Sequence, residues 1–251
     1  MTERGMIFNG EMVRAIRDGQ KTQTRRIMKV QPDTSEFGLR RIIESSIANE
    51  IGMYFWSQED ARGIKARSKQ FSCPYGDVGD RIWVRETWWQ AGQSHARYPD
   101  DDEYGWYGSR RILFAADGNP PNEPNDHYPN GLGGGKFSAA KPNHLWRKRP
   151  SIHMPRWASR ILLEITDVRV ERLNSISETD AEAEGIDMEA LFDSQDCYDC
   201  IAGHNMTGRP TATGAFKYLW ETIYGSDSWQ TNPWVWVIEF KRIEGDGHAT
   251  D

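Results

Sequence analysis

Residues 234–243 read Trp-Val-Trp-Val-Ile-Glu-Phe-Lys-Arg-Ile. Trp234, Trp236, Ile238 and Phe240 line one face of a strong strand, and Val235 and Val237 line the other. Pro233 leads into it. Working outward, Ser159 to Leu173 contains a second long strand, with Ile161, Leu163 and Ile165 alternating. Arg81 to Glu86 is a third, after the turn at Gly79-Asp80, and Met6 to Phe8 a short fourth. Helices are few. Asn9 caps one that carries Met12, Ala15 and Ile16, with Gly19 just past its end. Ser177-Glu-Thr-Asp180 is a capping-box-like start to another that ends at Gly185. A third opens at Thr213 or Gly214, carries Phe216, Leu219, Trp220 and Ile223, and closes at Gly225. Strands far apart in sequence with few helices predict an α+β fold around a small, mostly antiparallel barrel. There are no internal repeats.

The remaining chain is weakly patterned. Residues 31–72 read as mostly irregular, with a strand around Ile51 to Trp56. Residues 92–150 are loop-rich, interrupted by a strand from Arg111 to Ala116. Loops of this length inside a domain are functional or are insertions. The Gly-Leu-Gly-Gly-Gly run at 131–135 lacks the Lys-Ser/Thr and the strand–turn–helix setting of a phosphate loop.

A chain of 251 residues can bury a sizeable core without disulfide or metal. Eleven Trp, nine Tyr and nine Phe exclude a wholly disordered chain. No stretch approaches the ~18 apolar residues of a membrane helix, which argues against a membrane partner. The opening Met-Thr-Glu-Arg-Gly-Met lacks the apolar core of a secretory signal. Three cysteines are too few for a disulfide framework, so a reducing, cytoplasmic compartment is expected. The formal net charge of −6 hides an asymmetry. Residues 1–29 carry seven basic against three acidic side chains, and residues 141–172 eight against three. Two such segments meeting in space would focus field toward an anionic ligand; scattered, they are solvated loop charge.

The chemistry-bearing stretch is Asp18-Gly-Gln-Lys-Thr-Gln-Thr-Arg-Arg26. A regular strand would put Lys21 and Thr24 on opposite faces; they converge only if the chain turns, which Gly19 permits. A Lys beside two guanidiniums, or buried, has its ammonium form disfavoured and can act as a base, with Thr24 as nucleophile. The competing reading is a basic strand edge with Thr for its β-propensity. Glu86 shares the parity of Ile82 and Val84 and so points to the core face. Without a partner it would stay protonated, as a proton donor must; alternatively it pairs with Lys21 or an Arg as a structural salt bridge.

Gly19-x-Lys21-x-x-Thr24-x-Arg26 resembles the signature of the ASCH domain, a PUA-like fold. Gly79-Asp-Arg-Ile-Trp-Val-Arg-Glu-Thr-Trp88 resembles the family's next strand. Residues 151–160 and 232–240 resemble those of longer, phage- and prophage-borne members. The resemblance implies one domain over 1–251, a small mostly antiparallel PUA-like barrel flanked by helices. Insertions fall at about 31–72, 92–145 and 186–212, and residues 244–251 form a flexible tail. It also implies hydrolysis of an N-acylated cytidine, with Lys21 as base, Thr24 as nucleophile and Glu86 as proton donor, and no required cofactor. Arg25, Arg26 or backbone N–H groups would then stabilise the oxyanion. On this reading Lys21→Ala abolishes turnover and leaves the fold intact.

Other residues have weaker claims. His153, Arg156 and Arg160 lie near Trp146 and Trp157, a mixture that can stack bases and contact phosphates of RNA or a single strand. Trp88, following Glu86, is either a base platform or packed under a loop. Cys197-x-x-Cys200-x-x-x-His204 has zinc-like spacing that Cys73 or His153 could complete, though an acidic loop fits equally. The alternatives to the hydrolase are a non-catalytic RNA- or DNA-binding module and a nuclease using the same basic residues. No Ser/His/Asp triad, Walker loop or dinucleotide fingerprint is present.

Overall fold

The computed structural model describes residues 1–96, 104–121, 123, 145–193 and 211–243. The chain divides into two units interleaved along the sequence. The first comprises Met1–Thr2, Gly19–Arg81 and Glu164–Lys241; the second Glu3–Asp18, Ile82–Leu163 and Arg242–Asp251.

In the first unit, β2 (Gln23–Ile27) pairs antiparallel with β11 (Trp234–Ile243), and β11 neighbours β10 (Leu162–Arg172). The register sets Val237 beside Arg25 and Ile238 beside Thr24. One face of β11 buries Val235 and Val237 against Ala181 of α2 (Glu178–Ala183) and against Ala212, Phe216 and Trp220 of α4 (Ala212–Tyr224). Both helices begin where sequence chemistry sets them. The Ser177 side chain accepts from the Asp180 N–H, and the Thr211 side chain from the Gly214 N–H. Gly225 ends α4 at φ 98, a left-handed conformation that disfavours any side chain. A short α3 (Met188–Asp193) lies between them in sequence.

The other face of β11 is aromatic. Trp236 meets Tyr54 edge-on at 5.2 Å, and Trp234 lies 5.1 Å from Trp56. Tyr54 and Trp56 belong to β4 (Tyr54–Asp60), the middle strand of a sheet with β3 (Gly38–Arg41) and β5 (Gly63–Arg67). Residues 31–72, expected to be mostly irregular, therefore contain a three-stranded antiparallel sheet. Its outer strands are largely exposed and polar, so they carry no two-residue apolar period.

In the second unit, α1 (Gly10–Arg17) is capped by Asn9, whose side chain accepts from the Met12 N–H, and buries Val13, Ala15 and Ile16. It follows β1 (Glu3–Ile7), which neighbours β6 (Arg81–Arg85). Ile82 and Val84 of β6 are buried. A three-stranded antiparallel sheet, ordered β8-β7-β9, occupies the stretch expected to be loop-rich: β7 (Trp88–Ala96), β8 (Tyr104–Phe114) and β9 (Trp146–Arg149). Of the strand expected at Arg111 to Ala116, the part up to Phe114 is the end of β8, and Ala115–Asp117 form a 3-10 turn. A register shift between Gln90 and Gly92 breaks the apolar alternation and hides this pairing from sequence. Trp88, Met154 and Ala158 form a small buried cluster under Ile112 and Phe114. The strands form open sheets, and no closed barrel occurs among the described residues.

Gly92 is the closest fit in the β7–β8 ladder. A Cβ there would stand 2.2 Å from Cζ2 of Trp106 and 2.5 Å from the Tyr107 carbonyl oxygen. Gly92→Ala is expected to cost about 1–3 kcal/mol through overpacking. Thermal unfolding reads this directly; an unchanged melting temperature would show that the indole does not lie on that glycine.

Candidate functional site

The first unit holds a buried cluster of charge built on β2 and α2. Gln23 and Arg25 project toward the helix face, because Arg25 stands beside Val237, which packs on α2. Lys21 precedes β2 in an isolated antiparallel bridge with Glu184, the residue that ends α2. Its Nζ donates to the Glu184 backbone carbonyl at 2.7 Å and to Glu184 Oε2 at 2.5 Å. The Lys21 side chain is 0% exposed and that of Glu184 3%. Arg25, equally buried, reaches Glu171 at 3.1 Å, Asp180 at 3.3 Å and Glu184 at 3.8 Å. It also donates to Gln23 Oε1. Arg169 adds a second guanidinium, bonded to Glu171 at 2.6 Å, Asp180 at 3.0 Å and Glu239.

The electrostatics follow from burial. Loss of hydration holds the Lys21 ammonium below its ordinary value of 10.5, Glu184 pulls the other way, and Arg26 and Arg25 reinforce burial. Burial pushes Asp180 upward, but bonds from Gln23 and Ser177 and the charges of Arg25 and Arg169 outweigh it, so its carboxyl lies below 3.8. Glu184 Oε1 is buried and accepts no hydrogen bond from the described residues. A buried acceptor in that condition is uncommon, and here it faces the Arg25 guanidinium at 3.8 Å.

Thr24 is buried but belongs to the opposite face of β2. It stands beside Ile238 on the face that carries Trp236. The convergence of Lys21 with Thr24 expected from a turn at Gly19 does not occur. Gly19 does turn, at φ 79, but β2 is regular from Gln23 onward, so alternation separates Thr24 from Gln23 and Arg25. Arg26 is on the Thr24 face, half-buried. Arg25, expected near an oxyanion, is committed to carboxylates.

Glu86 belongs to the second unit. Arg160 holds it bidentately, Nε to Oε1 at 2.9 Å and Nη2 to Oε2 at 3.0 Å. Arg160 also bonds Asp117 at 2.5 Å, and Asp117 bonds Arg17 at 2.5 Å. The salt-bridge alternative for Glu86 is thus what the structure contains, with Arg160 as partner. Burial nonetheless pushes the Glu86 carboxyl above 4.5, against the Arg160 bonds. Trp88 is buried, edge-on to Trp157 at 6.0 Å, and offers no platform. His153 is exposed, and Arg156 pairs with Glu3 at 3.0 Å.

Cys73 is buried. Cys197, Cys200 and His204 lie outside the described residues, and no group of three metal-ligating side chains occurs among the described ones. No helix among them is long and apolar enough to cross a membrane. Comparison of the chain with protein-family models, characterised proteins and solved structures gave no match.

Sequence reasoning missed Glu184, Asp180 and Glu171, the residues that give Lys21 and Arg25 their setting. The capping box at Ser177 located α2, but nothing local pairs position 21 with a residue 163 positions away. The cluster also revises the expected effect of Lys21→Ala. That variant strands Glu184 as a buried charge, a loss of about 3–5 kcal/mol. Lys21→Met with Glu184→Leu, which removes both charges, is expected to recover most of the stability in a denaturant titration. On the acid side, Asp180 has its proton affinity lowered on folding. Its contribution is complete above 3.8 and is lost as the pH falls through its lower folded value. Asp180→Asn should therefore show a weaker loss of stability than the parent below about pH 3.8, measured by acid unfolding.

Proposed function

We propose that the chain is a hydrolase of an N-acylated cytidine nucleoside or base, an activity its ASCH-like signature implies, with Lys21 and Glu184 as the proton-carrying pair. One observation carries this reading. A fully buried amine of lowered proton affinity stands 2.5 Å from a carboxylate whose second oxygen accepts no hydrogen bond from the described residues and faces Arg25 at 3.8 Å. Perturbed proton affinities cluster at functional sites, and structural ion-pair networks perturb them as well.

Strand alternation favours water over Thr24 as the nucleophile, since the Lys21 amine and the Thr24 side chain belong to different faces. In the reaction, Lys21 in its amine form, which burial favours, takes a proton from water as its oxygen bonds to the acyl carbon. The Glu184 carboxylate stabilises the ammonium that results. The acyl–nitrogen bond then breaks, the nitrogen takes the proton back from Lys21, and a carboxylic acid and the free base leave. Glu86, the donor that the family resemblance implies, is held by Arg160 and takes no part in this step.

A second reading rests on the same burial. With no exposed surface, the Lys21–Glu184 pair clamps the segment before β2 to the end of α2, and the chain is a binding module. Turnover separates the two. A panel of N-acylated cytidines and unmodified RNA, followed by mass analysis, should show loss of the acyl group from the nucleosides. Lys21→Met with Glu184→Leu should lower the rate by about 10²-fold or more while the protein stays folded. Thr24→Ala should remain within about tenfold of the parent. No deacylation of any substrate overturns the hydrolase, and full activity in the double variant overturns the assignment of Lys21 and Glu184. Loss of turnover in Thr24→Ala alone returns the nucleophile's role to threonine.

A further inference from the structure

A small recess opens in the first unit on the aromatic side of β11. One wall is the segment that follows β2, with Met28 and Val30. The other runs from Phe71 to Pro74, and Trp236 of β11 lies between. The volume is about 150 Å³. Met28 and Trp236 are buried, and Val30 is 40% exposed. Two polar residues also line the recess, Lys29 and Ser72, and both are exposed. Neither the Lys29 ammonium nor the Ser72 hydroxyl has a hydrogen-bond or ion-pair partner among the described residues.

The walls are pinned, so the recess cannot simply collapse. The Met28 N–H donates to the Trp234 carbonyl at 3.1 Å. The Gln31 amide staples the same two strand ends. Its Nε2 donates to the Met28 and Trp234 carbonyls at 2.8 and 2.9 Å, and its Oε1 accepts from the Trp234 N–H at 3.0 Å. The Val30 carbonyl accepts from the Trp56 indole at 3.2 Å. On the other wall, Phe71 exchanges two backbone hydrogen bonds with Tyr54, at 2.7 and 2.8 Å. A site held open in this way spends little binding energy on ordering itself.

Shape and chemistry choose the occupant. An apolar space of about 150 Å³ takes one six-membered ring and little more. The Phe71 and Trp236 rings stand 6.3 Å apart at 76°. A planar ring lying against one presents its edge to the other, and aromatic pairs prefer both arrangements. The Met28 thioether also favours an aromatic neighbour. Lys29 can lay its stem along the apolar wall and keep its charge in water. The polar pair therefore offers one positive charge and one neutral donor. A carboxylate matches them, one oxygen to each, whereas a phosphate dianion leaves a charge unmatched.

We propose that this recess binds a small aromatic carboxylate, with its ring against Trp236 and Phe71 and its carboxylate at Lys29 and Ser72. The site is on the face of β11 opposite Val235 and Val237, and it does not rest on the hydrolase reading.

The test is fluorine NMR of para-fluorobenzoate with the full chain, with benzoate, benzamide and cyclohexanecarboxylate as competitors. The probe should bind with a Kd of about 1 mM or tighter. Benzoate should displace it. Benzamide should be weaker than benzoate by about fivefold, for want of charge, and cyclohexanecarboxylate by about threefold, for want of a ring face. Lys29→Gln should weaken benzoate about fivefold and leave benzamide unchanged. Val30→Phe, at a half-exposed position, should fill the recess and abolish binding in a protein that thermal unfolding shows to be folded. If Val30→Phe does not fold, Lys29→Gln decides alone. Lys21→Met with Glu184→Leu should bind the probe as the parent does, whatever the fate of the hydrolase. No binding up to about 10 mM, equal displacement by benzamide or cyclohexanecarboxylate, or parent-like binding in Lys29→Gln or in folded Val30→Phe overturns the proposal.

Discussion

A lysine ammonium with no exposed surface needs a partner, and Lys21 has one in Glu184. Taking both charges out of water costs several kcal/mol per ion, and the pair holds because its geometry is close and its neighbours are polar. Lys21 takes the carboxylate and the backbone carbonyl of one residue. Arg25 and Arg169 share Glu171 and Asp180 beside it. The cluster thus ties β2 to the first and last turns of α2, where the apolar contacts of Ala181 with Val235 and Val237 end. Helix, strand and charge specify one another: the cap at Ser177 fixes where α2 begins, and that start places Asp180 and Glu184 over the β2 face.

The second unit solves a similar problem differently. Glu86 is nearly as buried, but its partner Arg160 spans from a buried end to a partly exposed one and shares Asp117 with Arg17. A planar fork on a carboxylate is a stable arrangement that leaves little room for another group. Lys21 lacks that fork: its amine is a point donor, and the second oxygen of its partner faces Arg25 at 3.8 Å without a hydrogen bond from the described residues. This contrast is why the hydrolytic reading centres on Lys21 and Glu184.

What the sequence could reveal followed the range of the interaction. Helix α1 was legible from Asn9 to Gly19, and β11 from the alternation of its tryptophans and valines, because caps and periods are local. The sheets within 31–72 and 88–149 were not. The exposed strands β3 and β5 carry no apolar period, and in β7 the shift at Gln90 and Gly92 breaks it. Lys21 and Glu86 stood out as buried-ionisable candidates from motif and parity. Their partners did not, since Glu184 and Arg160 are brought to them only by tertiary packing. Thr24 shows the same limit from the other side: its identity fitted a nucleophile, but the regular ladder opposite Ile238 decides where it points.

The account depends on Lys21 being a buried amine whose proton is governed by Glu184. Heteronuclear NMR of the Lys21 Nζ through a pH titration measures this directly, in the parent and in Glu184→Gln. The expected result is titration below 10.5 in the parent, and lower still once the carboxylate that favours the ammonium is gone. A Lys21 amine that titrates at 10.5 in both proteins, like a lysine in water, would contradict it.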